Sequence, residues 1–315
     1  MTFALVLVVL ALAFPWGAGA LARRLARALP PREACWALTA AALLSAGGTV
    51  AALVGLFHVP FLASLEQVSP ARVLRVWPAA VPVAAAAGLV LLAQGVLLVR
   101  RGLRQRALLR RAWASVADGT GDGDLLVVPG EEVDAYALPG YRGRAGRVVV
   151  TSGMVRALSA GQREVLLAHE RAHLAGRHHL LSVLVDLSVV VHPALRPLRA
   201  SLGFHLERWA DEAAAEAVGD RRLTAAAITR AALAGAGAGA AGRGGYPVLA
   251  VSTGPVPQRV EALLGPVPTA PRGRARRVGA AGLAVGVAAS AVLALGLAYG
   301  LHEYVEYAAI AVRGG

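Results

Sequence analysis

The sequence predicts a multi-pass α-helical membrane protein that carries one cytoplasmic α+β domain, mostly helical with a small β-sheet. Three observations predict it. Of the 315 residues, 57% are hydrophobic and 16% charged, with a mean hydropathy of +0.58. The apolar residues fall into four charge-free blocks, at 2–22, 34–57, 78–99 and 278–301. Between the third and fourth lies a polar block, 100–277, with local signals for short strands and for helices. A disordered chain is excluded, because it would combine low hydrophobicity with high charge. An ordinary soluble enzyme is disfavoured, because about a quarter of its residues would be charged. The single cysteine, Cys35, excludes an intramolecular disulfide scaffold.

Each apolar block is long enough to cross a bilayer as a helix, which needs about 20 residues at ~1.5 Å each. A helix also satisfies its backbone polar groups internally. The first block carries Ala18-Gly19-Ala20, a signal-cleavage-like triplet, but its basic residues Arg23, Arg24 and Arg27 follow the apolar run. A signal peptide has them before it, so a retained span with the N-terminus outside is expected. All 32 basic residues are arginine. Arg23, Arg24, Arg27 and Arg32 lie between spans one and two, six arginines from Arg100 to Arg111 follow span three, and four from Arg272 to Arg277 precede span four. The opposite side receives Arg72, Arg75 and Arg313. The positive-inside rule therefore places 100–277 in the cytoplasm and the tail 302–315 outside. The net charge of +13 sits mostly at these membrane junctions. It suits anionic lipid, and with no basic stripe or binding motif no direct nucleic-acid partner is expected. Cys35 and Gln94 are expected to serve helix packing and an interhelical hydrogen bond.

Within the polar block, the glycine- and aspartate-rich stretch 118–124 reads as a loop. Strands are expected at 125–128, 135–139 and 147–151, with a hairpin across the glycine-rich 140–146. Ser159 and Gln162 form a capping-box pattern ahead of Val165, Leu166 and Leu167, and Gly176 is a plausible stop. The apolar stretch 180–191 is too short to span and is expected to be a buried or membrane-surface helix. Further helices are expected at about 199–218, 221–234 and 258–264, with a flexible Ala–Gly loop at 234–245.

The chemistry is concentrated on the first of these helices. His169, Glu170, Arg171, Ala172 and His173 form an HExxH pattern. Histidines at i and i+4 share one helix face, so both imidazoles can reach one zinc. Glu170 beside them can take a proton from an attacking water and return it to the leaving amine. A catalytic zinc needs a third protein ligand. Glu207, 34 residues after His173 on a predicted helix, is the candidate. Asp211, one turn further on, could hydrogen-bond a ligand imidazole. Glu212 and Glu216 compete with Glu207 but have no carboxylate one turn on. His178 and His179 fall beyond the expected helix stop and read as surface or interface residues; His205 faces elsewhere, and His192 and His58 lack evident partners. Trp209 reads as core. The absence of GxSxG, P-loop and CxxC patterns leaves serine-hydrolase and nucleotide chemistry unsupported.

In chain order, 135–140 (AYALPG), 147–153 (RVVVTSG), Leu158-Ser159, 165–173 (VLLAHERAH) and 207–211 (ERWAD) resemble the integral-membrane gluzincin peptidases, which include the HtpX-like and CAAX-prenyl-protease-like group. The four-span layout is most similar to the BlaR/MecR-type antirepressor peptidases. The resemblance implies a zincin-like metallopeptidase domain over 100–277 with one Zn2+ per chain held by His169, His173 and Glu207, and Glu170 as base. It implies that the 147–151 strand, with Val148, Val149 and Val150, is an edge that holds substrate in extended form. It further implies a protein substrate such as a BlaI/MecI-like transcriptional repressor, with HtpX-like quality control of membrane proteins as the alternative. A membrane scaffold whose metal site is structural or empty is the third reading, disfavoured because the base is retained. One departure stands out: about 14 residues follow Leu301, so no β-lactam sensor domain is expected there.

Overall fold

A computed structural model describes residues 2–65, 78–237 and 256–268. The expected fourth span at 278–301, the tail 302–315 and most of the Ala–Gly loop lie outside these residues.

Helices α1 (Thr2–Ala26) and α2 (Pro31–Leu65) pair as an antiparallel hairpin, and α3 (Ala80–Ser115) packs on α2. Among the described residues, two helical stretches, Pro31–His58 and Ala80–Ser115, are each long and apolar enough to cross a membrane. The helix of the expected third span does not stop at Arg100. It runs on as one helix through Arg100, Arg104, Arg106, Arg110 and Arg111 to Ser115, because this stretch of Arg, Leu, Ala and Gln favours helix and contains no proline. The boundary expected at residues 99/100 therefore lies inside α3, which is ~54 Å long.

The far end of α3 reaches the small sheet. Ala112 and Val116, with Leu109 and Trp113, pack on Leu138 and Val149, and the Trp113 indole N–H donates to the Pro139 carbonyl at 3.0 Å. The sheet has three strands, β1 (Leu125–Val128), β2 (Ala135–Leu138) and β3 (Arg147–Thr151), in the order β1-β3-β2. β1 pairs parallel and β2 antiparallel with β3. This corrects the expected edge: Val148, Val149 and Val150 lie in the central strand, not on a free one. Val149 faces α3, while Val148 and Val150 face the helices behind, and the three are 0%, 1% and 3% exposed. A strand apolar at consecutive positions is buried on both faces. The edge strands are β1 and β2.

At the end of β3 the chain turns into α4 (Ser152–Ala157), capped by the Thr151 hydroxyl, which accepts from the Met154 amide at 3.2 Å. Gly153 sits where the Glu131 and Glu132 carbonyls leave no space for a side chain. α5 (Ala160–Ala175) begins with the expected capping box of Ser159 and Gln162. α6 (His178–Val191) follows at 53° to α5, the turn being made by Arg177 in the left-handed conformation at φ +50°. A 3-10 turn (Pro193–Leu195) leads into α7 (Arg196–Val218), which has Pro197 in its first turn and is capped by Gly219, φ +76°. α8 (Arg221–Gly237) and α9 (Val256–Leu264) complete the described chain.

The largest core joins the two halves of the molecule. Ala34, Cys35, Leu38, Ala42 and Ala46 of α2 pack on Leu181, Val185 and Val189 of α6 and on Leu198, Leu202 and Leu206 of α7. Burying aliphatic side chains contributes about 1.5–3 kcal/mol each, so α6 and α7 form one packed body with the N-terminal apolar helices.

Candidate metal centre

The site lies where α5 crosses α7. On α5, Val165, Ala168 and Leu166 turn toward the interior, and the same period brings His169 and His173 onto the face that meets α7. On α7, Leu206 and Ala210 pack inward, and between them Glu207 and Asp211 project one turn apart. His169, Glu207 and Asp211 are 8%, 4% and 1% exposed.

Donor atoms of His169, His173 and Glu207 converge within 4.8 Å of one another. The two Nε2 atoms are 3.1 Å apart, and they lie 3.6 Å and 3.5 Å from the Glu207 carboxylate oxygens. A tetrahedral zinc with bonds of about 2.0–2.2 Å spaces its ligand atoms roughly 3.3–3.6 Å apart. The two imidazole–carboxylate separations match this spacing and the imidazole pair stands slightly closer, and two imidazoles with a carboxylate are a donor set that fits zinc. They leave a coordination place for water, as a catalytic site requires.

The remaining nitrogens have separate surroundings. His169 Nδ1 is 3.0 Å from Asp211 Oδ1. His173 Nδ1 is 2.9 Å from Nδ1 of His178, whose ring packs on Trp209 with centroids 4.5 Å apart. His178 is therefore a buried neighbour of the site, 2% exposed, and not a surface residue. Gly176 permits this, since its missing Cβ would fall 2.4 Å from His178 Nε2. Glu212 is removed as a rival ligand, because it pairs with Arg221.

Arg259 of α9 enters the site from a third direction. It donates to both oxygens of Asp211 at 2.7 and 2.6 Å and lies 2.9 Å from Glu207 Oε2, while being 6% exposed. Sequence reasoning missed it. The available signal was a lone arginine one turn before Leu263 on the apolar face of a short amphipathic helix.

These contacts set the protonation states. Burial pushes the Glu170 carboxyl up to about 7, against the pull of His169 and the Ala137 amide. Burial opposes charge on His169, but Asp211 and Glu207 overcome it and push the ring up to about 10. Burial holds the His173 ring down at about 4. Burial would raise Glu207 and Asp211, yet His169 and Arg259 hold both below the usual carboxylate range.

A groove opens over these groups. Ala135, Tyr136 and Ala137 of β2 form one wall; His178, Ser182 and Leu206 form the other. β2, not β3, is thus the edge strand beside the candidate metal ligands. The exposed bidentate pair of Arg171 with Asp124, at 2.7 and 2.9 Å, ties α5 to the loop before β1.

Residues 104–203 match the model of Peptidase family M48. The match takes in the sheet, the HExxH helix and the start of α7, and ends four residues before Glu207. Peptidases of this family are zinc metallopeptidases, so the match supports that activity class. No curated protein and no solved structure matches the chain.

Proposed function

We propose that this protein is a membrane-anchored zinc endopeptidase with a regulatory role, whose catalytic face lies at the cytoplasmic side. The observation that carries the reading is the convergence of His169, His173 and Glu207 in a groove that also holds Glu170 and runs beside a strand edge.

His169 and His173 would hold zinc through Nε2, and Glu207 through its carboxylate. Zinc bound there would supply Lewis acidity to a water and to the scissile carbonyl. The chain's own groups do the rest. A substrate segment lies extended along β2, matching its backbone hydrogen bonds by strand addition. Glu170, poised near neutrality by burial, takes the proton from the attacking water. It then delivers that proton to the leaving nitrogen and ends as it began. Asp211 beside His169 Nδ1, itself clamped by Arg259, orients the imidazole so that Nε2 faces the groove.

The proposed substrate is a cytoplasmic protein of the BlaI/MecI repressor kind, cut once to release a promoter. The arginine asymmetry of the sequence supports the cytoplasmic side. The test uses the full chain in detergent or vesicles with a purified repressor of that kind. Wild type is expected to yield one discrete cut, and Glu170→Gln to keep its zinc while losing cleavage. Cleavage by Glu170→Gln at the wild-type rate would falsify the assignment of the base. Broad degradation of unfolded membrane proteins, with the repressor left intact, would replace the regulatory role by quality control.

A further inference from the structure

Helix α6 turns its polar strip inward: His178, His179 and Ser182 line the groove, and Asp186 is held by arginines. Its inner side, Leu181, Val185, Ser188 and Val189, is buried against α2 and α7. Its outer side, Leu180, Val183, Leu184, Leu187 and Val190, remains partly or fully exposed among the described residues. An outward helix face without a polar group belongs in a core or in lipid, not at a water surface. Its one acidic residue, Asp186, is paired with Arg101 of α3 and Arg199 of α7.

Two hydrogen bonds register the end of α6 against the spans. The Gln94 side-chain amide donates to the Val191 carbonyl at 3.0 Å. Gln94 precedes the first basic residue of α3, Arg100, by six positions, ~9 Å along the helix. His192 Nε2 donates to the Leu12 carbonyl of α1 at 3.1 Å. Leu12 precedes Arg23 by eleven positions, ~16 Å. In an apolar layer ~30 Å thick these depths are about a third to a half of the way across.

The other end of α6 is registered separately. The Arg32 guanidinium, at the start of α2, lies over the Trp209 ring at 5.6 Å, and Trp209 packs on His178, which meets His173. The candidate metal ligands are thus three side chains from a boundary arginine. Helix length agrees. From His178 to Val191 is thirteen steps, ~20 Å, so subtracting the tip's depth leaves the site ~4–11 Å beyond the arginine level.

We propose that α6, the 3-10 turn and the start of α7 form a re-entrant hairpin whose tip enters the bilayer and whose outer face contacts lipid, holding the metal centre at the headgroup level. This rests on the reading of α2 and α3 as membrane spans and not on peptidase activity. It sharpens the expectation of a buried or membrane-surface helix: a helix too short to cross the bilayer has the length to dip into it and return.

Depth is measurable because Cys35 is the single cysteine and is buried. Nitroxide labels are placed by Val190→Cys, Leu92→Cys and Asp122→Cys in a Cys35→Ala background. The full chain is reconstituted in phosphatidylethanolamine/phosphatidylglycerol vesicles and read by collision with oxygen and with Ni(II)-EDDA. Leu92 is an exposed side chain of α3 and Asp122 an exposed loop residue. The expected result is oxygen access at Val190 with loss of nickel access to the level at Leu92. Leu187→Cys, about one turn nearer the surface, serves if Val190→Cys fails to fold; the same pattern is expected there with more nickel access. Nickel access at Val190 equal to that at Asp122, with Leu92 shielded, overturns the hairpin. Shielding from both reagents overturns the lipid contact, because protein then covers the face. Nickel access at Leu92 overturns the membrane reading itself, and the hairpin with it.

Discussion

The two histidines of the candidate centre stand one turn apart on the same helix, yet they are held by opposite means. On the His169 side the support is ionic: Asp211 beside Nδ1, and Arg259 across both Asp211 and Glu207. On the His173 side it is aromatic: the ring of His178, then Trp209, then Arg32 over the indole. The first set comes from α7 and α9, the second from the α5–α6 turn, α7 and the first residues of α2. A carboxylate beside an imidazole increases its basicity as a ligand, whereas a neutral ring chiefly orients it. Identical spacing in the motif thus conceals two ligands with different partners and different sensitivities.

The sharpest way to break the ionic side is Arg259→Met. It leaves Glu207 and Asp211 as buried carboxylates without their cation, and losing one partner of a buried pair costs about 3–5 kcal/mol. Denaturant unfolding of the metal-free protein should show that loss. Arg259→Lys should recover a minor part, because one ammonium cannot reproduce the planar contact with both carboxylates. Next comes Asp211→Asn, which keeps the shape and removes the charge. Zinc affinity, measured by competition with a chelator, should fall ~10- to 100-fold. On the aromatic side His178→Leu removes the acceptor opposite His173 Nδ1. Its effect on zinc affinity should be near the lower end, about 10-fold, with His178→Gln recovering part. Equal losses at Asp211 and His178 would erase the distinction between the two sides. The smallest effect is expected from Arg32→Ala, about 0.5–1 kcal/mol for an exposed cation–π contact.

Proton linkage gives a further test. Glu170 has a folded pKa of about 7 against an ordinary 4.5, so the folded state binds the extra proton between these values. Stability of the metal-free protein contributed by this group therefore falls as pH rises from about 4.5 to about 7. Glu170→Gln should remove that part of the slope. If the two unfolding profiles have the same slope over this window, burial does not set the state of Glu170.

Much of this was legible in the chain. HExxH, the one-turn offset of Glu207 and Asp211, and the Ser159–Gln162 cap are local patterns, and local patterns follow from helix geometry. What escaped was non-local or inverted. Arg259 meets Asp211 across 48 residues, and no periodicity connects them. Gly176 does end the helix, as expected, but the left-handed Arg177 that follows swings His178 back over the motif. The consecutive valines of β3 are the mark of a strand covered on both faces, so the edge belonged to β2. Charge-free length identified α2 and α3, while α6 was too short for that criterion.

The uninterrupted course of α3 has a mechanical consequence. Its apolar part and its basic part are one rod, and the rod ends with the Trp113 indole on the carbonyl that follows β2. The segment from Arg100 to Ser115 projects ~24 Å beyond the apolar part. A tilt of ten degrees about its exit point therefore displaces the far end by ~4 Å, more than a hydrogen bond tolerates. The wall of the groove that β2 provides is consequently coupled to the angle at which this rod leaves the apolar helices, so a change of tilt there becomes a change in the shape of the groove.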